Sequence, residues 1–159
     1  PETGLADADY VTKTRTRPPP AQLRTGRRWG RLNGREDKMK ALVVDDSRAM
    51  RVILSQALKE AGFTEIAQAQ HGKEGLDYLV GHPDTNLALV DWNMPEMTGI
   101  QMITEVRKHD NLAQVRLMMV TTETEMAHMQ QALDAGANEY VMKPFTKDVI
   151  ADKLRLLGF

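Results

Sequence analysis

The chain has 159 residues, no cysteine, 42% hydrophobic residues and a formal net charge of −1. That length suits one domain with a substantial core, and the missing thiols exclude disulfides and cysteine metal sites. No apolar run approaches the roughly 18 residues of a membrane span, and the N-terminal residues show no signal-peptide hydrophobic stretch, so a cytoplasmic protein without membrane insertion is expected.

The near-neutral total conceals an asymmetry. Residues 1–38 carry nine Lys/Arg against five Asp/Glu, whereas residues 39–159 carry twelve against seventeen. Residues 1–38 include Pro18-Pro19-Pro20 and almost no periodic apolar pattern, so a disordered, basic, Pro/Arg-rich tail is expected. Arg24, Arg27, Arg28, Arg31 and Arg35 around Trp29 alternatively suggest a nucleic-acid arm. The reading adopted is an extension, with the compact domain running from Met39 to Phe159.

From Lys40 the pattern alternates between strands and helices. Ala41–Val44 is a buried-type strand followed by Asp45-Asp46. Ser47 caps a helix with Met50, Ile53, Leu54, Ala57, Leu58 and Ala61 as its apolar positions, and Gly62 ends it. A second strand is expected over Phe63–Ala69, and a short helix over Gly72–Val80 with Leu76, Leu79 and Val80 inward. Leu87–Val90 is the third strand, ending in Asp91. Thr98 caps a helix over Gly99–His109 that turns Ile100, Ile103 and Val106 inward. A fourth strand runs over Val115–Val120, and a helix over Glu125–Ala135 stops at Gly136. A fifth strand spans Asn138–Met142, and Thr146 caps a last helix carrying Val149, Ile150, Leu154 and Leu157. Five strands alternating with five helices specify an α/β fold, a parallel sheet covered on both faces.

In such a sheet the carboxyl ends of the strands share one edge, where ligands bind. Asp45, Asp46, Asp91, Thr121 and Lys143 all fall there. Three close carboxylates repel unless a cation intervenes, and oxygen ligands suit Mg2+. Asp91 as a nucleophile forming an acyl phosphate, with Mg2+ and Lys143 neutralising the transferred group and Thr121 donating a hydroxyl, makes a phosphoryl-transfer site.

VVDDS, LVDWNMPEMTG, VTTETE and NEYVMKPF closely resemble the response-regulator receiver domain of two-component signalling, in its stand-alone chemotaxis form. The resemblance covers residues 39–159. It implies a flavodoxin-like (βα)5 fold with strand order 2-1-3-4-5 and Asp91 as phosphoacceptor. It further implies Mg2+ held by Asp46, Asp91 and the Asn93 backbone carbonyl, with Asp45 acting through water. Thr121 matches the switch hydroxyl, Tyr140 the switch aromatic and Lys143 the lysine, with a cis bond to Pro144. Asn93 and Glu123 occupy the positions that tune hydrolysis of the acyl phosphate, here toward quick self-dephosphorylation, with Thr122 hindering access.

The partners implied are a sensor histidine kinase or phosphotransfer protein and a downstream target protein. That target would meet the face made by the fourth helix, fifth strand and fifth helix, once Thr121 moves inward and Tyr140 fills the space. The chain reaches Phe159 directly after the last helix, so output by protein contact is expected. Such a domain is not an enzyme beyond its own phosphorylation and dephosphorylation. A haloacid-dehalogenase-type phosphatase would need a second Asp where Asn93 stands. His71, His82, His109 and His128 share no ligand spacing and read as surface residues. The methionines read as core filler, with those exposed on the fourth helix available to a partner.

Overall fold

The computed structural model describes residues 38–159, so the expectations for the N-terminal tail lie outside the described residues. Five strands, β1 (Lys40–Val44), β2 (Glu65–Ala69), β3 (Leu87–Val90), β4 (Arg116–Thr121) and β5 (Glu139–Met142), form one parallel sheet in the order β2-β1-β3-β4-β5. Between and after them lie α1 (Arg48–Glu60), α2 (Gly72–Gly81), α3 (Gly99–Val106), α4 (Met126–Ala135) and α5 (Lys147–Leu156). The expected flavodoxin-like α/β architecture and strand order are present.

Each face of the sheet has its own core. One contains Leu42, Val90, Leu76, Met102, Ile103 and Tyr140, and the other Val43, Leu89, Leu54, Leu58, Ile150 and Leu154. Strand β3 is buried at every residue, which is why Leu87–Val90 carries no polar position. Local signals set the helix starts: the hydroxyls of Ser47, Thr98 and Thr146 accept from the amides of Met50, Gln101 and Val149. At Thr98 the Gln101 side chain bonds back to the cap amide, completing a capping box. Gly62 and Gly136 both take positive φ, 101° and 113°, which stops α1 and α4.

Several expectations are corrected. Ile53, Val80 and Val149 face solvent at 50%, 45% and 40% exposure, because each helix turns fewer apolar residues onto the sheet than its sequence offers. Ala61 is exposed and Ile100 only half-buried. Helix α3 ends at Val106, and a 3-10 turn over Asp110–Leu112 follows instead of a helix to His109. The Arg107 guanidinium then fastens this corner, donating to the carbonyls of Gly136, Leu112 and Val115 and to Asn138 Oδ1. Strand β2 begins at Glu65, with Phe63 packed into the core ahead of it.

Two glycines bring helix ends against the β3–α3 loop. A Cβ on Gly99 would lie 2.1 Å from the Asp91 carbonyl oxygen, and one on Gly72 would lie 2.5 Å from that of Met97. Gly81, in contrast, has nothing within 4 Å. Gly99→Ala is therefore expected to destabilise the fold by roughly 1–3 kcal/mol, whereas Gly81→Ala stabilises it by about 0.5 kcal/mol. Parallel urea unfolding of the two variants checks this, and equal shifts would refute the close-approach argument.

Candidate functional site

Register brings the acids together. Val44 pairs with Val90, so Asp45 and Asp91 leave neighbouring strands side by side, and the Asp91 amide donates to the Val44 carbonyl at 2.9 Å. Oxygens of Asp45, Asp46 and Asp91 all lie within 4.8 Å of one another. Asp45 is 1% exposed and Asp91 9%, while Asp46 faces solvent. Asp45 Oδ1 accepts from the Ser47 amide at 2.8 Å and Asp91 Oδ1 from the Trp92 amide at 2.8 Å.

Lys143 enters from the end of β5, where Thr121 pairs with Met142 and the Lys143 amide donates to the Thr121 carbonyl. Its Nζ donates to Asp45 Oδ2 at 2.7 Å and lies 3.5 Å from Asp91 Oδ2. The Lys143–Pro144 peptide is cis, as the resemblance implied. Burial pushes the Asp91 carboxyl above its usual range; Lys143 and the Trp92 amide oppose that shift and Asp45 adds to it. One lysine thus faces two buried carboxylates. An oxygen-only donor set with surplus negative charge fits a hard divalent ion such as Mg2+.

Thr121 is fully buried, and its hydroxyl oxygen accepts from the Glu123 amide at 3.3 Å. Tyr140, expected to move into space left by Thr121, already points inward at 5% exposure, with its hydroxyl on the Glu123 carbonyl at 2.6 Å. Burial raises its phenol pKa, and the Glu123 and Asp91 carboxylates add to that. Asn93 and Glu123 are joined directly, Nδ2 to Oε1 at 2.8 Å. Thr122 is exposed beside them.

Two residues were misjudged from sequence. His71 is half-buried, and its Nδ1 caps α2 by accepting the Glu74 amide. His128 is half-buried too, with Nδ1 3.1 Å from Glu123 Oε2 and its ring centroid 5.0 Å from that of Trp92. Nothing in the spacing of His128 pointed to either neighbour; only the packing of α4 beside the β3–α3 loop brings them together. Glu96, in that loop, holds a φ of 62°, unusual for a residue with a side chain.

A five-stranded parallel sheet with an acidic cluster, a lysine and a buried hydroxyl at its carboxyl edge defines a flavodoxin-like α/β protein with its site at the strand ends. Residues 41–155 match the sequence model of the response regulator receiver domain, and the chain belongs to that family. The chain is 40% identical over 119 residues to chemotaxis protein CheY1 of Helicobacter pylori, covering 75% of this chain and 96% of that one. It is 42% identical over 116 residues to the chemotaxis protein CheY homolog of Campylobacter jejuni, covering 73% and 89%. The solved structure of Vibrio cholerae chemotaxis protein CheY4 superposes with a TM-score of 0.70 at 31% identity, covering 76% of this chain and 98% of that one. Receiver domains are phospho-accepting signalling domains that bind Mg2+ at an acidic pocket. Among the described residues no helix is long and apolar enough to cross a membrane.

The raised Asp91 pKa carries a stability consequence. A carboxyl whose folded pKa exceeds its unfolded value costs stability once pH passes the unfolded value, and the full cost is present above the folded one. In metal-free protein Asp91→Asn is therefore expected to raise unfolding stability at neutral pH. The gain should shrink on acidification through the carboxylate range. Denaturant unfolding of both proteins across pH checks the direction, and a gain independent of pH would refute the electrostatic cause.

Proposed function

We propose that this chain is a chemotaxis-type response regulator that takes a phosphoryl group on Asp91 from the phosphohistidine of a sensor kinase or phosphotransfer protein. The observation that carries the reading is the Asp91 carboxylate itself. It is held at a strand end between two further acids and the Lys143 ammonium, with Thr121 one strand away.

In the transfer, an Asp91 carboxylate oxygen bonds to phosphorus. The phosphorus–nitrogen bond breaks, and the donor imidazole keeps its electron pair and takes up a proton. Asp46, Asp91 and the Asn93 backbone carbonyl would hold Mg2+, with Asp45 reached through water; bound there, the ion supplies positive charge against the phosphoryl oxygens. Lys143, already within 3.5 Å of Asp91, pairs with one of those oxygens. Thr121 donates its hydroxyl proton to another by moving inward, and that movement shifts the oxygen that now accepts from the Glu123 amide.

That movement links the site to the output face. Glu123 is bonded to Thr121 through its amide and to Tyr140 through its carbonyl, so moving Thr121 strains the Tyr140 hydroxyl bond. Tyr140 also lines a groove between α4, β5 and α5, with Met129, Leu133, Phe145 and Val149. Met126, the first residue of α4, is 79% exposed and adds apolar surface suited to a downstream target protein.

Incubation with a small phosphodonor and Mg2+ should add one phosphoryl group to the parent protein by intact mass and none to Asp91→Asn. A chelator should abolish the addition. Equal labelling of Asp91→Asn would sink the assignment. Hydrogen exchange over α4, β5 and α5 should change on phosphorylation of the parent, and Thr121→Ala should take up phosphoryl yet lose that change. An unaltered exchange response in Thr121→Ala would break the proposed coupling.

A further inference from the structure

The Glu123 carboxylate bridges the loops that follow β3 and β4, with one oxygen hydrogen-bonded and the other close to a buried imidazole nitrogen. Oε1 accepts from Asn93 Nδ2 at 2.8 Å, and Oε2 lies 3.1 Å from His128 Nδ1, in the first turn of α4. His128 Nδ1 is sealed from solvent and has no aligned hydrogen bond, so its 3.1 Å approach to this carboxylate is a close contact and not a hydrogen bond. The imidazole ring in turn leans on the Trp92 indole at 5.0 Å and 50°, which fixes its direction. Trp92 and Asn93 are the two residues directly after Asp91. With its amide nitrogen committed to Glu123, Asn93 keeps its side-chain carbonyl oxygen as a free acceptor.

We propose that His128 is a positioning residue for hydrolysis of the Asp91 acyl phosphate, acting through Glu123 to hold the Asn93 carboxamide where it receives the attacking water. The inference rests on the phosphoryl-acceptor reading above. In the step concerned, water adds to phosphorus and the bond from phosphorus to the Asp91 oxygen breaks. Asp91 leaves as the carboxylate, and the water's proton passes to solvent as inorganic phosphate departs. Orienting that water is an entropic contribution, and it is lost when the group that receives the water can rotate. Glu123 is a surface carboxylate on a loop; one hydrogen bond to Asn93 leaves it free to swing, and the second contact from α4 stops that motion.

Two variants separate this role from plain packing. His128→Leu keeps an apolar body against Trp92 but removes Nδ1, whereas His128→Asn keeps a nitrogen donor at nearly the same place. After removal of the phosphodonor, decay followed by intact mass should be slower by roughly 3- to 10-fold in His128→Leu and near the parent rate in His128→Asn. In a Glu123→Ala background, His128→Leu should have no further effect. In metal-free protein the Asn93 side-chain amide signals in NMR should shift in His128→Leu and hold in His128→Asn. Normal labelling of Asp91 with parent-like decay in His128→Leu, or equal slowing in the Glu123→Ala background, would overturn this inference alone. Absence of any label on Asp91 in the parent protein would overturn the acceptor reading and this inference together.

Discussion

Two carboxylates share one lysine. Register places Asp45 and Asp91 side by side at the ends of β1 and β3, and both are almost wholly buried. Lys143 reaches them from β5, bonding Asp45 at 2.7 Å and standing 3.5 Å from Asp91. Removing charge from water costs several kcal/mol per ion, and one ammonium offsets only part of that for two acids. The surplus falls on Asp91, whose carboxyl is held above its usual range by burial and by Asp45. An under-neutralised carboxylate of this kind attracts a cation, and in the proposed function it is the group that attacks phosphorus. The same surplus that weakens the fold locally is thus what suits the site to its chemistry.

The apolar sheet makes that local cost tolerable. Strand β3 is buried on both faces, and the two cores flanking it fix the position of Val90 with no freedom to relax outward. Helix α3 then begins in contact with the end of β3, since Gly99 has no Cβ to meet the Asp91 carbonyl. The chain after Asp91 is therefore confined to a tight path through Glu96, whose positive φ is part of the turn that returns the chain to α3. Strain at Glu96 and repulsion at Asp91 thus fall at the same edge of the sheet, while the cores elsewhere supply the stability.

How much of this was legible in the sequence depended on range. Helix starts at Ser47, Thr98 and Thr146 and stops at Gly62 and Gly136 were readable because a cap is satisfied by residues three or four places away. The edge carrying Asp45, Asp91, Thr121 and Lys143 was readable because strand-end polarity follows from a parallel sheet alone. Which apolar residues fill the cores was less so: Ile53, Val80 and Val149 have the right spacing but fall outside the arc the sheet covers. Contacts set by one element's approach to another were illegible. His128 on Glu123, Arg107 on four separate carbonyls and the inward Tyr140 all belong to that group.

Helix α4 is where these long-range contacts matter most. It buries a single residue, Ala132, and its first turn has no side-chain cap, since Glu125 makes no such bond. Most of its apolar surface, Met126 and Leu133 included, faces solvent or the groove beside β5. A helix with so little core is held by its ends. At the C-terminal end, Gly136 turns the chain and Arg107 ties its carbonyl to the α3 corner. At the N-terminal end, the anchors are Glu123 and His128, which connect to Asn93, Thr121 and Tyr140. One end of α4 is thus fixed to scaffold and the other to the residues around Asp91. A charge placed on Asp91 acts on the second end only, so the expected motion is a pivot about Gly136 rather than a shift of the whole helix.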